Sequence, residues 1–318
     1  MSADPAFTEP TPERLRSPVV RYLLATRPAF LSLTLAGCLL GMATAASDGV
    51  AFDAMRALVT LLLAMLAHAA INVLNDYCDH LNGSDARNSG RLYPYTGGSR
   101  FIQNGVLTPR QTLGLAAALF TVTIAGGLGL VSVAGYGLLW IGVAGLAIGW
   151  AYSAPPLRLN SRGLGELCVA AGFLLVVVGA DTVQRGTLGS LPWVTGLSYA
   201  LLVAAVLTLN QFPDRAADRA SGKLHWVARL TPGAAARGHG LILVSAALAL
   251  AGGVLAGALP ATALVALAAL LPAVDAWRQL RRFAATPGRL APAIRRMLLA
   301  AHAQPVLLAA ILLLSARH

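Results

Sequence analysis

Two stretches of this chain gather oxygen-bearing side chains at helical spacing: "NVLNDYCDH", Asn72 to His80, and "NQFPDRAAD", Asn210 to Asp218. A helix advances about 100° per residue, so Asn72, Asp76 and Asp79 fall within a narrow arc, with Asn75 one step round. Asn210, Asp214 and Asp218 repeat the pattern at i, i+4 and i+8, and Asp85 follows the first stretch in "NDYCDHLNGSD". Both stretches end long apolar runs, and together they hold four of the 13 acidic residues. Carboxylates crowded at an apolar boundary repel one another and lose hydration, so they call for a compensating cation. No Cys/His set with zinc spacing lies nearby. The oxygens favour Mg²⁺, which keeps waters, takes one or two carboxylates and bridges to phosphate oxygens. Two such clusters on one face suggest two ions facing one diphosphate. For either stretch alone, the plainer alternative is a solvated helix end whose acids pair with neighbouring arginines.

Cations interleave with these acids: Arg87, Arg91 and Arg100 after the first cluster, and Arg215, Arg219 and Lys223 around the second. In "TGGSR", Thr96 to Arg100, the glycines allow backbone amides to approach an anion, and a guanidinium follows. "YSAPPLRLNSRGLGE", Tyr152 to Glu166, adds Arg158 and Arg162. Arginines near lipid also meet headgroups, so none of these is specific by itself.

The elements that must hold these residues follow from composition. The 318 residues are 57% hydrophobic and 12% charged, with a mean hydropathy of +0.67. Soluble domains carry about twice that charged fraction, so lipid is the expected solvent. Nine predominantly apolar stretches are long enough to span: 28–47, 54–74, 113–131, 133–152, 165–182, 191–211, 238–257, 259–276 and 297–315. Gly and Ala fill them, which suits close helix approach. The fold class is therefore an all-α polytopic bundle in one unit, with a 1–27 tail ahead of a 28–318 membrane domain. In the tail, "PERLRSPVVRYLL" is expected to form a short amphipathic interfacial helix, and no cleaved signal peptide is expected. Pro213 is expected to distort the end of its helix. The motif acids are expected outside the packed span interiors.

The net charge of +11 does not indicate nucleic acid. Of the 24 Lys and Arg residues, 21 fall in the N-terminal tail and the even-numbered connections; Arg56, Arg185 and Arg317 are left for the other side. The positive-inside rule then puts the N-terminus and both acidic motifs in the cytoplasm of an integral inner-membrane protein. Cys38, Cys78 and Cys168 lack pairing spacing, and Cys78 reads as a small filler within the first motif. A cation-coupled transporter would need ionisable groups near mid-membrane, where only His68 and Asp181 stand out. His68 reads as a satisfied core histidine, with a polar role in a cavity as the alternative.

The order "NDYCDHLNGSD", "TGGSR", "YSAPPLRLNSRGLGE" and "NQFPDRAADRASGK", spread over nine spans, resembles the UbiA superfamily of intramembrane prenyltransferases. The first two segments resemble its menaquinone-precursor branch, the 1,4-dihydroxy-2-naphthoate polyprenyltransferases. "YSAPPLRL" is closer to the branch that prenylates hydroxybenzoates, which leaves the acceptor open. The resemblance implies a central cavity beneath a cytoplasmic cap, binding Mg²⁺ and a prenyl diphosphate. It implies metal-ligand or catalytic roles for Asp76, Asp79, Asp85, Asp214 and Asp218. Diphosphate contacts are implied for Asn75, Asn210, Arg100, Arg158 and Lys223, with Asn72, Tyr152 and Arg162 as secondary candidates. The expected reaction moves a polyprenyl group to an aromatic quinone precursor within membrane lipid. A membrane terpene cyclase on the same fold is the nearest alternative chemistry. From the charge asymmetry, reporters fused after Gly90 and after Gly222 should both report cytoplasm; opposite sides would rule out a site built from both motifs.

Overall fold

The computed structural model describes residues 8–316. Residues 1–7 of the tail and Arg317 of the charge count lie outside them. The described residues form α1 Pro18–Ala25, α2 Pro28–Ser47, α3 Ala54–Asn82, α4 Ser84–Arg87, α5 Pro109–Ala134, α6 Tyr136–Ser153 and α7 Gly165–Arg185. They continue with α8 Leu191–Ala220, α9 Trp226–Arg229, α10 Pro232–Leu255, α11 Leu271–Phe283 and α12 Ala291–Ser315. Among these residues, nine helical segments are long and apolar enough to cross a membrane. The fold is all-helical.

Three boundaries differ from the hydropathy reading, each for a local reason. α3 and α8 run on through both acidic motifs to Asn82 and Ala220. Between Asn72 and Asn82 nothing interrupts the backbone ladder until Gly83, whose φ of 77° ends α3. α8 also continues past Pro213, which stands inside the 30-residue helix and leaves one backbone bond unmade. The eighth span begins as a 3₁₀ segment, Ala261–Leu270, and becomes α-helical only at α11. Pro272 can donate no backbone bond there, while the Leu271 N–H reaches back three residues to the Ala268 carbonyl.

The core lies among α2, α7, α8, α10 and α12, around fully buried Leu40, Leu202, Leu209, Leu250 and Met297. The spans of α2 and α8 are 67% buried, whereas those of α5 and α6 are 17% buried and leave apolar flanks outward. α7 ends in a closed ion pair: Arg185 reaches Asp181 at 2.8 Å and Asp48 at 2.7 Å, and Thr44 donates to Asp181 at 2.8 Å. Asp181 is thus a satisfied structural group at the end of the bundle away from the motifs.

Close approach of α2 and α7 depends on Gly41, where an added Cβ would sit 2.9 Å from the Ala180 Cβ and closer still to the Val177 carbonyl. At Gly114 an added Cβ meets nothing within 4 Å. Gly41→Ala should therefore cost about 1–3 kcal/mol through overpacking. Gly114→Ala should be neutral or stabilising by up to about 1 kcal/mol. Thermal melts in detergent will compare the two, and equal melting would show that the α2–α7 contact is not tight.

Candidate active site

The ends of α3 and α8 line a cavity of about 700 Å³. At one end it is lined by Asn72, Asn75, Asp79, Asp85, Asn210, Asp214, Asp218 and Lys223. Its remainder is mostly apolar, with Leu63, Ile71, Leu128, Leu139 and Val176 among the walls supplied by α3, α5, α6 and α7. Asp85 arrives by a turn: Gly83 stops α3, Asn82 Oδ1 accepts from Ser84 N at 2.8 Å, and α4 brings the carboxylate back to the cavity. Asp76, Asp79, Asp85 and Asp218 are each at most 5% exposed, so these acids belong to the packed interior rather than outside it.

One ammonium joins the two motifs. Lys223 Nζ lies 2.9 Å from Asp79 Oδ2 and 3.7 Å from Asp218 Oδ1. Gly222, at φ 78°, turns the chain after α8 so that Lys223 points back inward. Burial alone would lower the Lys223 pKa, but Asp218 and Asp79 beside it outweigh this and hold it well above the ordinary ammonium range. His225 completes the shell of Asp218. Its Nδ1 accepts from Ala228 N at 3.2 Å, which leaves the Nε2–H to donate to Asp218 Oδ2 at 3.0 Å.

The "TGGSR" loop approaches anions as expected, but the anions are the protein's own. Gly97 N donates to Asp214 Oδ2 at 3.0 Å, beside Asn88 Nδ2 at 2.6 Å from Oδ1. Ser99 N is shared between both oxygens of Asp76 at 3.2 Å. Asp76 does not line the cavity; it anchors the loop. Between these contacts Gly98 has φ 72°, and a Cβ there would fall 2.5 Å from Asp85 Oδ2. Only glycine lets the loop close over these acids.

Arg100 stands behind the site. Its Nη1 donates to the Asp85 carbonyl at 2.5 Å, and its Nε lies 4.0 Å from Glu9, so it props α4 and does not line the cavity. Arg158 and Arg162 line a separate recess of about 390 Å³, which shares only Lys223 with the main cavity. Asn72 donates to the Thr26 carbonyl at 3.1 Å and Asn75 to Ser153 Oγ at 2.9 Å, which fixes α3 against its neighbours. Tyr152 lines the cavity, as does His68, which is hydrogen-bonded to Thr34 at 2.7 Å and so fits both sequence readings. Sequence reasoning missed Arg27, Asn88, Gln211 and His225. Arg27, one of the basic residues of the tail, lines the cavity, held at φ 59° and 3.3 Å from the Tyr95 carbonyl. The left-handed turn ahead of Pro28 has no clear sequence signal.

The donor set fits a hard divalent cation. Asp85 Oδ2, Asn210 Oδ1 and Gln211 Oε1 are buried and make no hydrogen bond within the protein. Burial first, and then the charges of Asp79 and Asp76, push the Asp85 carboxyl well above the usual carboxylate range, and a cation would relieve that strain. Among the described residues no three His, Cys, Asp or Glu side chains converge to enclose an ion. Mg²⁺ needs only one or two carboxylates, its remaining positions going to water and phosphate oxygens.

A family model described as the UbiA prenyltransferase family matches residues 33–313. The 1,4-dihydroxy-2-naphthoate octaprenyltransferase of Escherichia coli K12 is 31% identical over 237 residues, covering 72% of this chain and 75% of that protein. The apo structure of a UbiA homolog from Aeropyrum pernix K1 superposes with a TM-score of 0.64 at 20% identity, covering 90% of this chain and 98% of that one. A UbiA homolog from Archaeoglobus fulgidus, bound to DMAPP and Mg²⁺, gives a TM-score of 0.59 at 14% identity, covering 91% and 99%.

The contacts of Asp76 and Asp85 differ enough to be separated by experiment. Asp76→Ala removes the acceptor for Ser99 N and should make the loop cleave several-fold faster with trypsin at Arg91 or Arg100. Asp85→Asn, which keeps the shape of a side chain with a free oxygen, should leave cleavage unchanged. Equal cleavage of both variants would mean that Asp76 does not anchor the loop.

Proposed function

We propose that this chain, which belongs to the UbiA prenyltransferase family, transfers a polyprenyl group from its diphosphate to a dihydroxynaphthoate-like acceptor in the inner membrane. The observation that carries this reading is one cavity with two ends: carboxylates and amides from α3, α4 and α8 at one, and apolar side chains of the spans at the other. A prenyl diphosphate has the same two halves. The acceptor class follows the relative named above and the "TGGSR" segment. The tail and motif ends face the cytoplasm, in line with the 21 of 24 basic residues on that side.

Asp79, Asp85, Asp214 and Asp218, with Asn75, Asn210 and Gln211, would hold Mg²⁺ directly or through water. When bound, the metal supplies electrostatic stabilisation to the departing diphosphate oxygens. Arg27 and Lys223 add positive charge on the cavity wall. Asp76 and Arg100 act behind them, holding the loop and α4. The apolar remainder, bounded by residues such as Phe173 and Ile148, keeps water from the allylic cation while an electron-rich aromatic carbon attacks; the new C–C bond replaces the broken C–O bond, and the ring carbon loses its proton or carboxyl group to restore aromaticity. Tyr152 lies on that wall, where a planar acceptor can stack.

The test uses purified enzyme, polyprenyl diphosphate and Mg²⁺, with naphthoate and hydroxybenzoate acceptors offered in parallel. Prenylated naphthoate is expected, no product is expected without acceptor, and EDTA should abolish turnover. Asp79→Asn and Asp214→Asn should each lower the rate on the order of hundredfold or more. Benzoate turnover alone would overturn the acceptor, and a terpene formed without acceptor would overturn the transfer.

A further inference from the structure

We propose that His68 orients the aromatic acceptor, its Nε2–H donating to a ring hydroxyl oxygen of that molecule. This rests on the prenyl transfer proposed above. His68, Asn72, Asn75 and Asp79 fall within about 60° around α3, so they form one stripe along the cavity wall. Along the helix axis His68 lies about 10 Å from Asn75 and about 16 Å from Asp79. It therefore stands in the mostly apolar part of the cavity, away from a diphosphate held among the acids.

The imidazole is held in place by the protein alone. Nδ1 lies 2.7 Å from Thr34 Oγ1 on α2, and Phe173 of α7 meets the ring edge to face, with centroids 5.5 Å apart at 86°. Phe173 is itself braced by Tyr199 at 6.1 Å. Thr34 is 1% exposed, and its hydroxyl has no other partner among the described residues. A buried hydroxyl proton with one neighbour goes to that neighbour, so Thr34 donates to Nδ1 and the ring hydrogen is left on Nε2. Nε2 makes no hydrogen bond with the described residues, yet it is not sealed off as both ring nitrogens of His239 are. With Nδ1 occupied and His68 on the wall, the Nε2–H is a donor open to the cavity.

A donor at this depth needs an oxygen. The isoprenoid chain carries none. Thr60, whose Oγ1 is buried without a partner, lies eight residues away on α3, about 12 Å along the axis. The acceptor is the substrate that brings oxygens here. Its reacting carbon must meet the first carbon of the donor, beside the diphosphate, and the two hydroxyls of a 1,4-dihydroxynaphthoate stand on opposite edges of one ring. One edge can thus face the Asn75 end while the other reaches His68. A hydrogen bond at the far edge fixes the rotation of the ring and so selects the carbon presented to the donor. It also selects the substrate, because an analogue without that hydroxyl leaves the Nε2–H unpaired.

The probe is 1,4-dihydroxy-2-naphthoate, its binding to the full chain followed by fluorescence in anaerobic nonionic detergent, beside the two analogues that each lack one hydroxyl. His68→Phe should weaken the dihydroxy compound about tenfold and leave one analogue, the one without the bonded hydroxyl, within about twofold of wild type. His68→Gln, whose amide N–H can take the place of Nε2–H, should restore most of the affinity. Thr34→Val, which removes the partner that fixes the ring, should fall between. Donor binding with Mg²⁺ should match wild type in every variant, and in turnover the acceptor KM should rise while the donor KM stays. The contact is overturned if wild type binds no naphthoate, if His68→Phe keeps full affinity, or if all three ligands lose equally. A glutamine variant as weak as the phenylalanine one, or donor binding lost in parallel, would reduce His68 to a tie between α2 and α3. A wild type that binds the acceptor through His68 yet prenylates nothing would sink the transfer reading and keep the contact. Prenylation with undiminished acceptor affinity in His68→Phe would sink the contact and keep the transfer.

Discussion

Gathering four carboxylates at the edge of an apolar bundle is the constraint from which most of this architecture follows. At an effective dielectric constant near 20, two like charges about 4 Å apart repel by about 4 kcal/mol, and burial adds to that cost. The protein meets it in three ways. Lys223 stands between Asp79 and Asp218. Hydrogen-bond donors from Asn88, Gly97 and His225 satisfy single oxygens of Asp214 and Asp218, and Ser99 N is shared by both oxygens of Asp76. Asp85 is left with an unpaired oxygen at the cavity wall. Partial compensation suits a catalyst here: full pairing would leave nothing to hold a cation, and none would force the helix ends apart.

The same constraint explains the loops. The connection after α4 is held by amide-to-carboxylate bonds with the helix ends and by Phe101, Val106 and Leu107, which form a small buried cluster with Ala25. The N-terminal segment adds a second tie, with Glu9 accepting from Arg91 at 2.7 Å and from Asn104 at 3.1 Å. Cap and acids therefore stabilise each other, while the lipid-facing spans of α5 and α6 contribute wall and little core. The polar end of the cavity is tied by hydrogen bonds, and the apolar end is walled in part by the less buried helices α5 and α6.

Much of this was legible in the sequence because lipid removes ambiguity. Nine apolar runs admit few folds, and the charge asymmetry orders them. The acid positions were legible because i, i+4 spacing survives any small error in a helix boundary. Two things were not legible. Helical periodicity put Asp76 and Asp79 within one narrow arc, yet Asp79 faces the cavity and Asp76 faces the loop; that division is made by Ser99, distant in sequence. Arg100 and Arg158 looked alike as motif arginines. One is turned toward the Asp85 carbonyl and the other into a separate recess, and both sit at positive φ. Backbone handedness at a non-glycine residue leaves no composition signal.

The division between Asp76 and Asp79 also bears on why the motif is so dense in acids. A metal–diphosphate site needs its ligands held still before the cation arrives, and hydrocarbon neighbours cannot hold a carboxylate. Only other polar groups can, and in this chain the nearest sources are backbone amides of the glycine loop and the side chains of Asn and His. Each acid that binds the loop therefore positions an acid that does not. Asp76 secures Ser99, which places Gly98 against Asp85, and Asp214 takes the Gly97 amide while still facing the cavity. Removing one charge in such a set alters the placement of the others, so their effects on rate are not expected to add.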